Sequence, residues 1–463
     1  MTGEAANGYF WEPEAPEVRW PGTLSTLEDG DELTLMYASH STPIEENADS
    51  GRLIPVLFGS VLSLGDVTLR GARPFSTWQA QNVASVQYGS FELLLGVHVS
   101  EECYTSASLE LEWLADWAPR RRLDRESEGE LVIPLDIELI ASAQVSETRV
   151  DLVRGVATSW STSEIMAKQS WYFQITGKGR LDELIVDWVA PIQDLLLVAI
   201  GYRPGILGIS VQFSENRPSA RVRPRWPRSG ATGTKPRLVG HIGASKTLLL
   251  PVDKLLGLGT AIEQWYALRA QLGIPAGMLA AGRVGDEIYI EHRYLMLFVA
   301  MDSLAKLGGM IDIKAMTPGD FIDRIRVLKE ALGDGKVDKD TRDWALGILE
   351  SKNQKSQTRI VEAFLTVTSL VPDKHLSEVA RALSKIRVDI AHRGAIKNID
   401  DEAVALRVVH LTELMEWIVR AELLVGLGAP REAVAARLAA NSEFKAMMKD
   451  VLASLPTKSA GQR

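Results

Sequence analysis

The spacing of apolar residues changes near residue 250, and this change constrains the fold more than any other feature of the sequence. Before it, short apolar or alternating runs such as Leu33–Tyr37 and Phe91–Val99 are separated by turn residues, as at Glu28–Asp31. After it, apolar residues recur every three or four positions, as at Leu376, Val379, Leu383, Ile386 and Ile390. The sequence therefore predicts an α+β multidomain protein, with a β-rich, sandwich-like N-terminal half followed by an all-α helical bundle.

The same patterns predict the domain boundaries. We expect a β-rich region over residues 1–245, and whether it divides near 150–175 stays open. A connecting helical segment follows over 246–285, then a helical domain over 286–455 and a disordered tail over 456–463. The predicted helices cover residues 187–200, 255–272, 287–307, 321–332, 338–352, 357–370, a helix ending at Gly394, 402–425 and 431–452.

Composition limits the cellular location of the protein and the kinds of site that it can contain. The single cysteine, Cys103, allows no internal disulfide and no cysteine cluster for a metal, which fits a reducing compartment. Residues 1–7 lack the basic and apolar parts of a signal peptide, and no apolar run approaches the roughly 20 residues of a membrane span. We therefore expect a soluble, cytoplasmic protein that makes no membrane contact.

A cluster of basic residues interrupts this acidic chain. The net charge of -9 argues against nucleic-acid binding by bulk electrostatics, although a local basic site remains compatible with it. Residues 217–237 contain no acidic residue and carry Arg221, Arg223 and Arg225 next to Trp226. We interpret the segment as a phosphate-contacting loop in which Trp226 stacks on a base. A solvated linker, or an ordered hairpin packed on an acidic neighbour, explains it equally well.

Tryptophans are concentrated in the β-rich half. Nine of the twelve precede residue 227, and large aromatic side chains usually fill cores. A ligand-recognition surface is the alternative, and with it a carbohydrate-binding function. The sequence shows no paired-carboxylate motif that would support a carbohydrate-active enzyme.

The segment Ser384–Gly394 combines two residues suited to phosphodiester chemistry. Arg387 carries a fixed positive charge, and five positions later His392 can titrate near neutrality. Together they offer charge stabilisation and proton transfer. By themselves they also fit a charged helix end, because basic residues favour the last turn.

The geometry of a helix limits how this pair could work. Five residues of regular helix turn through about 500°, so Arg387 and His392 should diverge by about 140°. Either the last turn unwinds at Gly394, or a second copy of the chain supplies the missing residue. Asp389 lies three positions before His392 and could orient its imidazole, or it could pair with Lys385 or Arg393.

These residues resemble a known signature. An arginine, four residues and a histidine, with Ala391 before the histidine and Gly394 after it, resemble the motif of HEPN ribonucleases. Residues 291–304 resemble the first helix of ApeA-like HEPN domains, with Asp302 at a position that is usually acidic. Residues 8–13, 21–24 and 109–117 resemble parts of the ApeA N-terminal domain, so the resemblance spans almost the whole chain.

The resemblance implies an enzyme of anti-phage defence or abortive infection. It implies an endoribonuclease that needs no metal or other cofactor, acts as a dimer of HEPN domains and carries a β-rich region that senses a phage component or restrains the nuclease. Arg387 would bind the scissile phosphate, and His392 would act as acid or base while the 2′-hydroxyl attacks. The products would be a 2′,3′-cyclic phosphate and a 5′-hydroxyl, with Asp389 and Asp302 in supporting positions.

One departure from the signature keeps a second function open. The residue after the motif arginine is commonly asparagine, whereas this chain has Val388. Asp389 could take over its role, or activity could be reduced or absent. The alternative is a non-catalytic HEPN module that dimerises and binds a nucleotide, nucleic acid or protein.

Overall fold

The computed structural model describes most of the chain. It covers residues 4–26, 31–38, 53–80, 83–117, 137–160, 165–214, 216–223, 247–250, 255–272, 289–307, 318–333, 338, 341, 356–394 and 396–455. The chain forms two compact units, Met1–Leu268 and Arg269–Arg463. The first is rich in strands and the second is helical, which confirms the predicted α+β multidomain class.

The strands of the first unit form one continuous sheet in the described part of the chain, with no division into two separate sheets. Most neighbouring strands are antiparallel hairpin partners, as expected for short runs separated by turn residues. The strands are β1 Glu4–Trp11, β2 Trp20–Thr26, β3 Asp31–Ala38, β4 Ile54–Val61, β5 Gly65–Ala80, β6 Val83–Gly89, β7 Glu92–Leu95, β8 Cys103–Leu111, β9 Glu138–Val145, β10 Thr148–Trp160, β11 Ile165–Arg180, β12 Ile206–Gln212 and β13 Ala220–Arg223.

Six of these strands close into a ring. Their order is β4-β1-β2-β3-β6-β5, and β5 pairs with β4 to complete it. β5 changes its partner from β4 to β6 just after Gly71, whose φ of 66° is a left-handed value that favours glycine. The inward side chains alternate along each strand, as at Leu33, Leu35 and Tyr37, and form one apolar core.

The core leaves no room for a side chain at Gly59. A Cβ atom there would lie 2.5 Å from Cδ1 of the fully buried Phe10 and 2.9 Å from Cγ2 of Val67. We therefore expect Gly59→Ala to lower the free energy of unfolding by about 1–3 kcal/mol, as overpacked cores do. Urea denaturation would measure this loss.

Gly257 provides the control. A Cβ atom at Gly257 would meet nothing within 4 Å, so Gly257→Ala should cause no loss of stability. Equal denaturation midpoints for Gly59→Ala and wild type would contradict the tight packing of Phe10 over β4.

The rest of the sheet extends from β5 in the order β7-β13-β12-β8-β11-β10-β9. It is accompanied by α1 Leu114–Trp117, by a helix of three parts (α2 Leu181–Glu183, a π-helical turn Leu184–Val189 and α3 Ala190–Ile200) and by α4 Leu258–Leu272. The fully buried Trp265 of α4 donates through Nε1 to the carbonyl of Pro191 at 2.8 Å, which fixes α4 against α3.

Asp194 in α3 is buried. An acidic residue in so apolar a helix is normally expected at an exposed or capping position. Instead, its carboxylate accepts a hydrogen bond from Nε of Arg203 at 3.1 Å. A buried carboxylate needs such a counter-charge, so Asp194 belongs to the packing of the first unit.

The second unit is a bundle of helices. They are α5 Ile290–Leu307, α6 Pro318–Gly333, α7 Gln357–Thr368, α8 Leu376–Arg393, α9 Glu402–Gly426, α10 Arg431–Ala440 and α11 Ser442–Ser454. α5 packs against α8 and α9, α7 packs against α8, and α11 packs against α9. The three-and-four spacing of α8 places Leu376, Val379, Leu383, Ile386 and Ile390 in the core, as predicted.

The terminal helix was predicted as one segment, and this is wrong. The chain breaks at Asn441, which has an extended backbone and accepts a hydrogen bond from the amide of Phe444 at 2.9 Å through its side chain. Asparagine is a strong N-cap, so it starts a second helix instead of continuing the first.

Some predictions fall outside the described residues. These are most of the helix at 338–352, the tail at 456–463 and the short apolar run at 131–133, which the sequence also predicts as a strand. Among the described helices, none combines the length and the apolar character that crossing a bilayer requires.

Candidate functional site

The helix that carries the candidate pair is regular to its end. α8 runs through Arg393 and closes at Gly394, whose φ is 69° and whose amide donates to the carbonyl of Ile390 at 2.8 Å. This is an ordinary helical bond followed by a left-handed glycine cap. The unwound last turn that we considered from the sequence is therefore wrong.

Arg387 and His392 lie on different sides of this helix. Arg387 is half-buried, whereas His392 is exposed. Because the helix is regular, the two side chains leave it about 140° apart. One copy of α8 therefore does not bring them together on one face.

His392 belongs to an exposed, basic stripe. Arg381, Lys385 and Val388 precede it at helical spacing, and all four side chains are exposed. Asp389, which we expected to support the histidine, is half-buried. His392 is therefore accessible from the solvent.

The turn that carries Arg387 is anchored from α5. The hydroxyl of the fully buried Tyr294 donates to the carbonyl of Leu383 at 2.6 Å. In a regular helix this carbonyl also accepts the amide of Arg387, four residues later. Tyr294 thus fixes α8 at the start of the motif, and sequence reasoning missed it because a bond to a backbone carbonyl leaves no pattern.

We expect Tyr294→Phe to lower the free energy of unfolding by about 0.5–1.5 kcal/mol, the usual effect of one lost hydrogen bond. Burial raises the pKa of Tyr294 well above its ordinary value. A raised folded pKa contributes stability that is complete below about pH 10 and is lost as the pH rises further. The difference in the free energy of unfolding between wild type and Tyr294→Phe should therefore become smaller above about pH 10.

Urea denaturation at neutral pH and above pH 10 would measure this change. Tyr289→Phe is the control, because Tyr289 is 75% exposed and should show no such effect. A difference that stays constant with pH would contradict a buried, protonated Tyr294.

Asp302 lies further along α5. Its Oδ1 accepts a hydrogen bond from Nε2 of Gln357 at 3.1 Å, at the start of α7. This contact joins two helices of the bundle, so the described geometry gives Asp302 a clear packing role.

The basic segment is partly a strand. We expected a loop, but Ala220–Arg223 forms β13 between β12 and β7, with Ala220 and Val222 buried. Arg223 pairs with Asp31 at 3.3 Å, while Arg221 is exposed. The loop prediction is therefore wrong for these residues, and the hairpin with an acidic neighbour describes them. Arg225 and Trp226 lie outside the described residues.

Two buried ion pairs in the helical unit were also missed. Glu416 accepts a hydrogen bond from Arg293 at 2.5 Å, and Glu422 accepts from both terminal nitrogens of Arg431. The available signal was the presence of glutamates among the apolar residues of α9. Across the described ranges, no three His, Cys, Asp or Glu side chains converge as a metal site requires.

Comparison with known proteins adds to this geometry. No curated protein matches the chain. Residues 5–237 match the family described as ApeA N-terminal domain 1, and the matched region contains all thirteen described strands except the first residue of β1. Because the match covers half of the chain, the protein belongs to the ApeA family through its N-terminal domain, which suggests a role in anti-phage defence.

Proposed function

We propose that this protein is a HEPN-type endoribonuclease of anti-phage defence. The observation that carries the proposal is the order of its parts. An ApeA N-terminal domain is followed by a helical unit in which the regular helix α8 bears Arg387 and, near its C-terminus, His392. The ribonuclease activity and its residues extend the family assignment by the resemblance of α8 to the HEPN signature.

The chemistry follows from the two side chains. The 2′-oxygen of RNA attacks the adjacent phosphorus, and the bond from phosphorus to the 5′-oxygen breaks. His392 takes the proton from the 2′-hydroxyl or returns one to the leaving 5′-oxygen. Arg387 holds the phosphate and stabilises the charge that develops on its oxygens. The products are a 2′,3′-cyclic phosphate and a 5′-hydroxyl.

A second copy of the chain completes the site in this proposal. The regularity of α8 supports this step, because one helix directs Arg387 and His392 to different sides. In a two-fold dimer, Arg387 of one copy approaches the phosphate from one side and His392 of the other copy from the opposite side.

The β-rich unit has the sensing function in this proposal, with a phage component as the trigger and RNA as the substrate. Arg221 is its exposed candidate for phosphate contact, whereas Arg223 already faces Asp31. If Arg221 contacts one phosphate, Arg221→Ala should reduce the slope of log binding constant against log salt by about 0.7–1 for RNA. An unchanged slope in a titration by fluorescence anisotropy would exclude Arg221 from the RNA contact.

The alternative is a non-catalytic module that dimerises and binds a nucleotide, nucleic acid or protein. Val388 favours it, because an apolar residue stands directly after Arg387, where the HEPN signature commonly has asparagine.

One experiment in cells separates the two functions. Wild type, Arg387→Ala and His392→Ala are expressed with and without phage infection, and RNA integrity is followed. We expect RNA degradation on infection with wild type and none with either variant. Protection from phage without any RNA degradation would favour the non-catalytic module, and degradation that persists in both variants would exclude this site.

A further inference from the structure

The outer face of the ring carries a row of exposed apolar side chains. Successive residues of its strands point alternately into the core and away from it. Cross-strand pairing lines up five outward residues, one from each of β1, β2, β3, β6 and β5: Tyr9, Pro21, Met36, Ser85 and Trp78. Tyr9, Met36 and Trp78 are 58%, 48% and 61% exposed, so this row presents two aromatic rings and a thioether to solvent.

A second row lies beside the first, two positions away on each strand, which is about 7 Å. Its five residues all carry a hydroxyl or an amide group: Asn7, Thr23, Thr34, Gln87 and Ser76. Each of them is exposed or half-buried. The hydroxyl of Thr23 donates to Oδ1 of Asn7 at 2.8 Å, which fixes the orientation of that amide. The row is therefore a ladder of groups that both donate and accept hydrogen bonds.

The two rows form one outer strip, and this strip does not close around the ring. At one end Tyr9 pairs with Ser60 of β4, and Ser60 pairs with Asp66 of β5. At the other end Ser85 pairs with Trp78, which lies much further along the same strand β5. The outer strip therefore runs obliquely across five strands and ends at Trp78.

The ten residues of the outer strip include no charged residue, although 24% of the residues of the chain are charged. An exposed surface of this size would ordinarily carry about three charged side chains. Glu32 and Arg73 stand in the row beyond the strip, where Glu32 pairs with Ser25 and Arg73 pairs with Gly89. Phosphates bind through lysine and arginine, so the strip is not suited to a nucleic acid.

Trp78 also departs from other tryptophans of the β-rich unit. We expected these residues to fill the core, and the structure confirms this for four of them: Trp11, Trp20, Trp117 and Trp171. Trp78 is exposed instead, in a row with Tyr9 and Met36. For this residue the structure favours the ligand-recognition surface that the sequence left open.

A chain of sugar units fits both rows. Sugar hydroxyls donate and accept hydrogen bonds, as the groups of the second row do. The C–H face of a sugar ring is apolar and packs on flat aromatic rings such as those of Tyr9 and Trp78. Neighbouring strands lie about 4.8 Å apart, which is close to the length of one hexose unit in an extended polysaccharide. A regular ladder of neutral groups thus matches a repeating, uncharged ligand better than the irregular surface of a folded protein.

We propose that the outer strip binds a neutral oligosaccharide or polysaccharide chain that lies across the five strands. Tyr9 and Trp78 stack on sugar rings, and the second row forms hydrogen bonds with sugar hydroxyls. The strip has no carboxylate, so it binds the sugar chain without hydrolysing it. Because the strip belongs to the β-rich unit, this binding does not depend on the nuclease activity proposed for α8.

Isothermal titration calorimetry of the full-length protein with cellohexaose, maltohexaose, xylohexaose and mannohexaose tests the proposal. We expect at least one of these neutral sugars to bind, with an affinity that salt does not change. Trp78→Ala should raise the dissociation constant by about 10-fold, because the stacking contact is lost. Thr34→Val removes one hydroxyl at nearly constant shape and should raise the dissociation constant about fivefold. Circular dichroism checks the fold of both variants.

Tyr289→Ala is the matched control, because Tyr289 is an aromatic residue outside the strip and is 75% exposed. Its dissociation constant should equal that of wild type. Absence of binding to all four sugars overturns the proposal, and so does an equal loss of affinity in Tyr289→Ala and Trp78→Ala. Equal binding of hexagalacturonate, which carries a carboxylate on every unit, would contradict a site for neutral sugars. Self-association that Trp78→Ala abolishes in analytical ultracentrifugation would assign the strip to a second copy and would also overturn the proposal.

Discussion

Arg387→Ala is expected to lower the rate of RNA cleavage by about 10²–10³-fold, because removing a donor that stabilises developing charge usually has an effect of this size. Arg387 is half-buried, and charge interactions near a partly buried residue are stronger than in bulk solvent. Substrate binding should weaken as well, since in the proposed site the same group also contacts the phosphate in the ground state. Cleavage of a short single-stranded RNA by the purified protein measures both effects.

His392→Ala should lower the cleavage rate by a comparable factor and should also change how the rate depends on pH. Loss of a general acid or base costs about 10²–10⁴-fold in rate and flattens one limb of the pH profile. Arg381→Ala is the matched control, because Arg381 is an exposed cation on the same helix but outside the motif. If Arg381→Ala lowers the cleavage rate as much as Arg387→Ala, the loss reflects the positive charge of the helix in general and not the proposed site.

Arg431→Ala is expected to cause the largest loss of stability, about 3–5 kcal/mol, because it leaves a buried carboxylate without its counter-charge. The Glu422 side chain is 2% exposed, and Arg431 donates to both of its oxygens, with 2.7 Å between Nη2 and Oε2. Urea denaturation of the full-length protein measures the loss. Glu422→Gln in the Arg431→Ala background should recover part of it, since it removes the buried charge.

An exposed pair in the same unit provides the comparison. Arg326 and Asp323 lie 3.2 Å apart and are 67% and 69% exposed. Arg326→Ala should change the stability by less than about 1 kcal/mol, because solvent already screens this pair. Similar losses of stability for Arg326→Ala and Arg431→Ala would show that the burial of Glu422 does not determine the cost of removing its arginine.

Local patterns predicted the helices well and the closed sheet less well. The stripe of α9 predicted residues 402–425, and the helix covers Glu402–Gly426, because the core-facing residues recur with the helical period. The closure of the ring depends on the pairing of β1 with β4 and of β3 with β6, and no local pattern contains these pairings because the strands are not neighbours in sequence. The break at Asn441 was readable as a capping residue, but continuous apolar spacing concealed it.

The candidate site, too, could be predicted from the sequence only in part. Helical arithmetic predicted the separation of Arg387 and His392, and the regular helix agrees with it. The contact of Tyr294 with Leu383, and that of Arg223 with Asp31, join distant parts of the sequence. Such contacts depend on tertiary packing, and for this reason the basic segment was interpreted as a loop.

The most direct test of the central claim mixes two inactive chains. If the nuclease site combines Arg387 of one copy with His392 of another, a mixture of Arg387→Ala and His392→Ala chains contains dimers with one intact site. Random pairing of equal amounts should restore about a quarter of the wild-type cleavage rate, since half of the dimers are mixed and each has one of two sites intact. Activity no higher than that of either variant alone, with mixed dimers confirmed by mass spectrometry, would contradict the shared site.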